Sequence, residues 1–452
     1  MTRYYSTNRR VPEVDLAHAL LQGQAGDRGL FLPKPIPKMS PALLSSARKM
    51  PYPELAAAVL EPYAQGVFSR DELLEICRDA YDYSVPLEKV DGPRHLMRLD
   101  QGPTASFKDF AARFMGRALG RLVKQRGKGL LVLTATSGDT GSAIAHAFLG
   151  VPGIRAVVLF PIHEVSDRQR RQMTTLGDNI ATLALDSKFD DCQALVKQAF
   201  ADPDLLDLNL TSANSINIGR LLPQSVYYIH AASKLADAAG GEKVIFSVPS
   251  GNFGDLMGGL LAFHSGLPVQ RFIVATNEND EVPKFLETGR YDKIVPSRKC
   301  ISNAMNVGHP SNLARVVDLY GGWMDERGEI HEAPDMDAMQ RDLYGVSIDD
   351  AHTRETIVET YRRHKAVLEP HGAVGWAGLQ RFLERHPEHS KTTAISLETA
   401  HPAKFPEEIR ALIGIDPALP PSLEGLDAKS EHYEEMETDY GAFKEYLVRK
   451  YR

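Results

Sequence analysis

Lys108 stands where the chemistry of a lysine changes. It follows the turn Gly102-Pro103-Thr104, and the residues from 108 to 119 (KDFAARFMGRAL) repeat apolar Phe110, Phe114 and Leu119 at roughly helical spacing. Ser106, with Asp109 three residues on, has the spacing of a helix N-cap and capping box. Lys108 is therefore expected in the first helical turn. There the unpaired backbone N–H groups carry positive partial charge, which disfavours an ammonium and favours a neutral amine. A neutral lysine amine is a nucleophile or a Schiff-base former. Alone, the residue also reads as a solvated lysine beside a cap.

Two glycine-rich segments supply a second kind of chemistry. TATSGDTG (134–141) follows the apolar run LLVL (130–133), and PSGNFG (249–254) follows KVIFSV (243–248). Each is expected to open a helix. Glycine lets backbone N–H groups approach a ligand, and the helix start adds positive potential, so each loop suits a phosphate or a carboxylate. Neither has the GxGxxG or GxxxxGK[ST] pattern, which argues against dinucleotide and Walker-type nucleotide sites. A third strand, TTAISL (392–397), runs into Glu398-Thr399-Ala400-His401. Ligands of open parallel sheets gather at the carboxyl ends of strands, so all three segments and Lys108 are expected around one crevice.

The elements that must position them follow from periodicity. Residues 1–92 read as a mainly helical unit: a short helix over 15–21, an extended proline-punctuated segment after the turn at 26–29, and a helix through Ala80 opened by a Ser69–Glu72 capping box. Residues 86–99 read as loop and short strand. From residue 129 the pattern is strand, turn, helix. Further strands are expected over 155–160, 180–185 and 271–275, with helices over 190–200 and within 214–239. This is an α/β fold with a parallel sheet. Residues 303–319 read as polar loop and helix, 323–350 as a charged, patternless periphery, and 347–367 as helix. The acidic tail ends in a helix-like AFKEYLVRKY. The expected division is an N-terminal unit (1–92), a large lobe (93–128 and 211–410), a small lobe (129–210) and a C-terminal helical tail (411–452).

Composition narrows the classes. A chain of 452 residues exceeds one typical domain. Its net charge of −7, without a basic block, gives no support to nucleic-acid binding. No run approaches a membrane span, and the polar N-terminus lacks a signal-peptide core, so a cytoplasmic protein is expected. Cys77, Cys192 and Cys300 are scattered without a CxxC pair, which implies neither a metal site nor a disulfide framework. His146, His264 and Cys192 read as core or helix-end residues, and the RQRRQ run (168–172) as a solvated helix start, with anion steering as its alternative.

Five segments, in this order, carry a resemblance: PTASFKDFAARFMG, TATSGDTGSAIAHAF, NSINIGRLLPQ, SVPSGNFGDLMGG and SLETAHPAKFPE. Together with YYSTNR and DRGLFLP near the N-terminus, they resemble the threonine synthase family in its longer form. That family lies within the tryptophan-synthase-β-like, fold type II, pyridoxal-phosphate enzymes, and the likeness extends over most of the chain. It implies a two-lobed parallel-sheet architecture with the added N-terminal unit. It implies that Lys108 is the Schiff-base lysine and that Ser250, Gly251, Asn252, Phe253 and Gly254 hold the pyridoxal 5'-phosphate phosphate, with Asp255 opening the helix behind. Thr399 matches the residue that meets the pyridine nitrogen. A hydroxyl there would not hold that nitrogen protonated, and the ring would be a milder electron sink. Asp139 stands where many relatives in the wider fold carry asparagine beside the ring hydroxyl.

The resemblance further implies O-phospho-L-homoserine and water as reactants, L-threonine and phosphate as products, and Lys108 as the proton shuttle. Thr136, Ser137 and Thr140 are candidates for the substrate carboxylate. Asn214, Asn217 and Arg220, expected near a helix start, are candidates for its phosphate, with Ser106 and residues 308–312 behind them. Two alternatives stay open. A sister lyase would release 2-oxobutyrate and ammonia from the same substrate. A non-catalytic binding homologue would be expected to lack Lys108 or the 250–254 loop, and both are present. Oligomeric state is open between monomer and homodimer. Closure of the small lobe over the large one is a further expectation.

Overall fold

A computed structural model of the chain describes residues 1–136 and 138–452. Two parallel sheets organise it. The larger has six strands in the order Leu343–Ser347, Val269–Thr276, Val244–Pro249, Ala394–Glu398, Arg94–Arg98, Leu87–Asp91. All neighbours run parallel except the last pair. The smaller has five strands, all parallel: Glu434–Met436, Ile180–Leu185, Ile154–Pro161, Leu130–Ala135, Leu210–Ser212. Leu130–Ala135, Val244–Pro249 and Ala394–Glu398 are buried at every residue. Strands covered on both faces read as continuous apolar runs, which is why these three are plain in the sequence.

The N-terminal unit pairs Arg3–Ser6 with Phe31–Lys34 and packs the helices Tyr52–Ala64 and Arg70–Ala80 beneath the large lobe. The Ser69–Glu72 capping box forms as expected. The unit shares one hydrophobic core with the large lobe, in which Leu55, Leu60 and Ile76 lie with Phe110, Tyr227 and Phe246. Polar contacts reinforce the join. Arg113 Nε donates to Ala80 O at 2.7 Å, and Arg315 Nε to Phe31 O at 3.0 Å.

Several elements differ from the sequence reading. Residues 86–99 form two antiparallel strands, the second of which pairs parallel with Ala394–Glu398 and belongs to the large sheet. The helix expected within 214–239 spans only Gln224–Leu235. Asn217 caps a short 3-10 turn, Ile218–Arg220, and Pro223 precedes the helix, so residues 214–223 are loop. The span 323–350 contains the edge strand Leu343–Ser347, hidden from a periodicity reading by its mixed burial. The C-terminal tail adds a strand, Glu434–Met436, to the small sheet, and its helix Tyr440–Tyr451 packs on the helix Phe189–Ala201 through Phe443 and Leu447. Among the described residues no helix is long and apolar enough to cross a membrane.

Candidate active site

The carboxyl ends of Leu130–Ala135, Val244–Pro249 and Ala394–Glu398 face one cavity of about 380 Å³ between the lobes. Lys108, Asp139, Thr140, Arg220, residues 250–255 and Thr399 all line it. Lys108 is the first residue of the helix Lys108–Arg126, and its side chain is 13 % exposed. The N-cap is Phe107, without a side-chain cap, not Ser106 as the spacing suggested. The cause is Asp109. Its carboxylate turns back to accept from Thr104 N at 2.9 Å and Thr104 Oγ1 at 2.6 Å, which ties the preceding loop to the helix start. Ser106 is a correction: it is fully buried and does not line the cavity, and its hydroxyl has no partner among the described residues. Burial lowers the proton affinity of Lys108. Asp139 opposes that shift, and Lys404 and Arg220 reinforce it.

The 250–254 loop wraps the start of the helix Gly254–His264. Phe253 takes a left-handed backbone, with φ at 61°. Gly251 is required by space, since a Cβ there would lie 2.7 Å from Ala304 O and 2.9 Å from Met305 Cα. Asn252 is locked on both sides of its amide. Nδ2 donates to Ser215 Oγ at 2.8 Å, and Oδ1 accepts from Ser311 N at 2.7 Å. Asn312 Nδ2 donates to Asn252 O at 2.9 Å, and Arg315 Nη1 donates to Asn312 Oδ1 at 2.6 Å. The result is a fixed loop at a helix N-terminus, built for an anion. Behind it Asp255 accepts from Tyr227 and Tyr228 hydroxyls at 2.6 and 2.7 Å. Burial pushes its carboxyl up to about 6, against the lowering effect of those two donors.

Asp139 begins the helix Asp139–Phe148 and is buried. Oδ1 accepts from Lys404 Nζ at 2.6 Å and from Gln169 Nε2 at 2.9 Å; Oδ2 lies 3.8 Å from Lys108 Nζ. Burial raises its carboxyl, but the two lysines outweigh that and hold it well below the usual carboxylate range. Lys404 and Gln169 were not singled out from the sequence. Lys404 lies in the HPAKFP segment and is fully buried, with a second bond to Thr104 O at 2.9 Å. Gln169 belongs to the RQRRQ run, which is not a solvated helix start. Gln169 and Gln172 are buried, Gln172 Nε2 donates to Thr104 O at 3.1 Å, and Arg168 donates to Ala403 O. The readable signal was the Ser166–Gln169 capping box, which does form.

Thr399 sits at the end of Ala394–Glu398 and lines the cavity. Its hydroxyl donates to Glu369 Oε1 at 3.4 Å. Glu369 also caps the helix Pro370–Arg385 and accepts from His371 Nδ1 at 2.6 Å, while His371 Nε2 accepts from Ala304 N at 3.0 Å. Glu369 and His371 also went unnoticed in the sequence; only Pro370, at the first helical position, is an ordinary helix-start signal there.

The remaining candidates divide. Thr136 lines the cavity, but its Oγ1 accepts from Gly138 N and Gly141 N and shapes the loop. Thr140 lines the cavity, and Ser137 lies outside the described residues. Asn214 lines it too, with its Nδ2 on Ala135 O at 2.9 Å. Arg220 lines the cavity and is buried, with Nη1 on Ala213 O at 2.6 Å, and its Nε has no partner among the described residues. Asn217 is a correction. It does not reach the cavity, and its amide is spent on Leu20 O, Ser212 O and Gly219 N. Of residues 308–312, Gly308, His309 and Ser311 line the cavity.

A lysine at a helix start, a glycine-rich loop at a second helix start and a strand-end hydroxyl share one cavity, in a two-lobed fold with parallel sheets. Residues 85–397 match the family model described as pyridoxal-phosphate dependent enzyme. Residues 3–81 match the threonine synthase N terminus, and residues 372–447 match the threonine synthase C-terminal model. The chain is 38% identical over 449 residues to threonine synthase of Haemophilus influenzae, covering 98% of this chain and 99% of that one. It is 39% identical over 422 residues to that of Escherichia coli, covering 93% of each. The structure of pyridoxal-phosphate-bound threonine synthase from Brucella melitensis superposes with a TM-score of 0.91 at 33% identity over 100% of both chains. The chain belongs to the threonine synthase family of pyridoxal-phosphate-dependent lyases.

Proposed function

We propose that the chain converts O-phospho-L-homoserine and water to L-threonine and inorganic phosphate. The observation that carries this reading is that Lys108 and the 250–254 cradle open onto one cavity. Lys108, residues 250–254, Asp139 and Thr399 would hold pyridoxal 5'-phosphate. The fit rests on the anion-shaped loop, on the space that only a glycine leaves at 251, and on a lysine whose amine is driven toward neutrality by its surroundings. Bound there, the cofactor supplies the electron sink that makes the substrate Cα–H acidic.

The chain's own groups do the rest. Lys108 Nζ takes the Cα proton and later returns one, a role suited to an amine whose neutral form is favoured by burial. Arg220 lines the cavity, its Nε has no partner among the described residues, and its guanidinium suits the dianionic phosphate of the substrate, where such a bond is short and strong. Thr140, at the start of the helix Asp139–Phe148, suits the carboxylate. The reading carries with it a cytoplasmic enzyme, a monomer or a homodimer.

Incubation with O-phosphohomoserine and pyridoxal phosphate tests it. Threonine and phosphate in equal amounts are expected. Release of 2-oxobutyrate and ammonia would instead assign the sister lyase reaction.

A further inference from the structure

Lys404 is a buried cation that the proposed reaction does not use. It follows the strand Ala394–Glu398 of the large sheet, yet its ammonium crosses to the helix start of the small lobe. There it lies 2.6 Å from Asp139 Oδ1, while Lys108 Nζ is 3.8 Å from Oδ2. One carboxylate thus faces two lysines at unequal distances. A carboxylate alone beside Lys108 would hold that lysine as an ammonium, because opposite charges within about 4–6 Å favour the charged forms of both. With Lys404 in closer contact, the charge of Asp139 is already matched. Gln169 Nε2, at 2.9 Å from the same oxygen, fixes the carboxylate in that orientation.

We propose that Lys404 is a positioning residue: by holding Asp139 in a matched ion pair it withdraws that carboxylate from Lys108 and leaves the Lys108 amine without a counter-ion of its own. The other charged groups around Lys108 do not restore one. Arg220 repels an ammonium, Glu369 attracts it from farther off, and Asp255 gives its carboxylate to two tyrosine hydroxyls. His371 directs its Nδ1 proton to Glu369. Lys108 is shifted downward: burial drives the shift, Asp139 opposes it, and Lys404 and then Arg220 add to it.

The inference rests on Lys108 being the cofactor-bearing amine, but it can be read without cofactor. The full chain, freed of pyridoxal phosphate, is pulse-labelled with acetic anhydride across pH, and the Lys108 peptide is quantified by mass spectrometry. Only the neutral amine reacts. In Lys404→Met the midpoint of Lys108 labelling is expected to rise by about one unit, and its reactivity at pH 8 to fall about tenfold. Lys404→Arg keeps the charge and is expected to keep the wild-type midpoint. The double variant Asp139→Asn with Lys404→Met removes the stranded carboxylate and is expected to return the midpoint toward wild type. A purely structural role for Lys404 would leave the double variant as perturbed as the single one. An unmoved midpoint in Lys404→Met, or a shift that persists in the double variant, overturns the proposal. Failure of the underlying reading shows elsewhere, as the absence of a visible band when the wild-type chain is given pyridoxal phosphate.

Discussion

The two glycine-rich loops look alike in sequence and are built in opposite ways. The 250–254 loop is neutral and held from outside. Asn252, Ser215, Ser311 and Asn312 close a ring of hydrogen bonds around it, and Arg315 anchors that ring to Phe31 of the N-terminal unit. The 136–141 loop is held from within by Thr136 Oγ1, and its one ionic side chain, Asp139, reaches out to Lys108 and Lys404. The first offers a rigid cradle whose backbone donors do not titrate. The second places a carboxylate 3.8 Å from the lysine amine. On the proposed reading the first loop bears on affinity and the second on reactivity.

The largest expected effect breaks both at once. Lys108→Ala removes the amine that each loop serves, and turnover of O-phosphohomoserine is expected to fall by about 10³–10⁴-fold or more, measured by phosphate release. A loss of less than tenfold would place the proton transfer on another group. Arg315→Met attacks the cradle through its anchor. It leaves Phe31 O, Ser215 O, Ile216 O and Asn312 Oδ1 without their donor, and is expected to cost about 2–4 kcal/mol in urea unfolding. It should weaken cofactor binding while leaving the pH profile of turnover in place. Unchanged stability would mean that the ring holds without its arginine.

Asp255 lets the cradle side be probed by pH. Its carboxyl is raised to about 6 by burial, above its unfolded value, so folding favours the protonated form. Its contribution to stability is therefore full below about pH 4 and is lost as pH rises through about 6. Asp255→Asn keeps an oxygen for Tyr227 and Tyr228 and does not titrate. Between pH 4 and 7 the wild type is expected to lose roughly 3 kcal/mol relative to it. Parallel stability curves would refute the assignment. The smallest effect is steric. Gly251→Ala places a methyl group against Ala304 O and Met305 Cα, and is expected to weaken cofactor binding by about 10–100-fold, since overpacking costs about 1–3 kcal/mol. Fluorescence titration with pyridoxal phosphate measures it; an unchanged affinity would show that the loop yields.

What was legible in the sequence follows the same division. The strands leading into both loops were plain because burial on both faces leaves no polar interruption. Lys108 and the 250–254 loop were legible because a lysine at a helix start and a glycine cluster after an apolar strand each have a local physical meaning. The residues that were missed act at a distance in the chain. Lys404 meets Asp139 across the lobes, and nothing within a few residues of Lys404 records it. Gln169 hid in a run of charge that helical spacing alone reads as solvated. Ser106 reads as an N-cap from its spacing and Asn217 as a phosphate ligand from the resemblance and an expected helix start, and tertiary contacts override both: Asp109 turns to Thr104, and the Asn217 amide is consumed by the backbone of its own loop and of Leu20. The strand at 343–347 was lost because an edge strand needs no regular alternation.

The central claim is that Lys108 and the 250–254 cradle form one cofactor site. Absorbance spectra of the wild-type chain and Lys108→Ala, each equilibrated with pyridoxal phosphate and then gel-filtered, test it most directly. A visible band that stays with the wild-type protein and is missing from Lys108→Ala is the predicted result. A protein-bound band of equal intensity in both would place the cofactor on another amine and contradict the account.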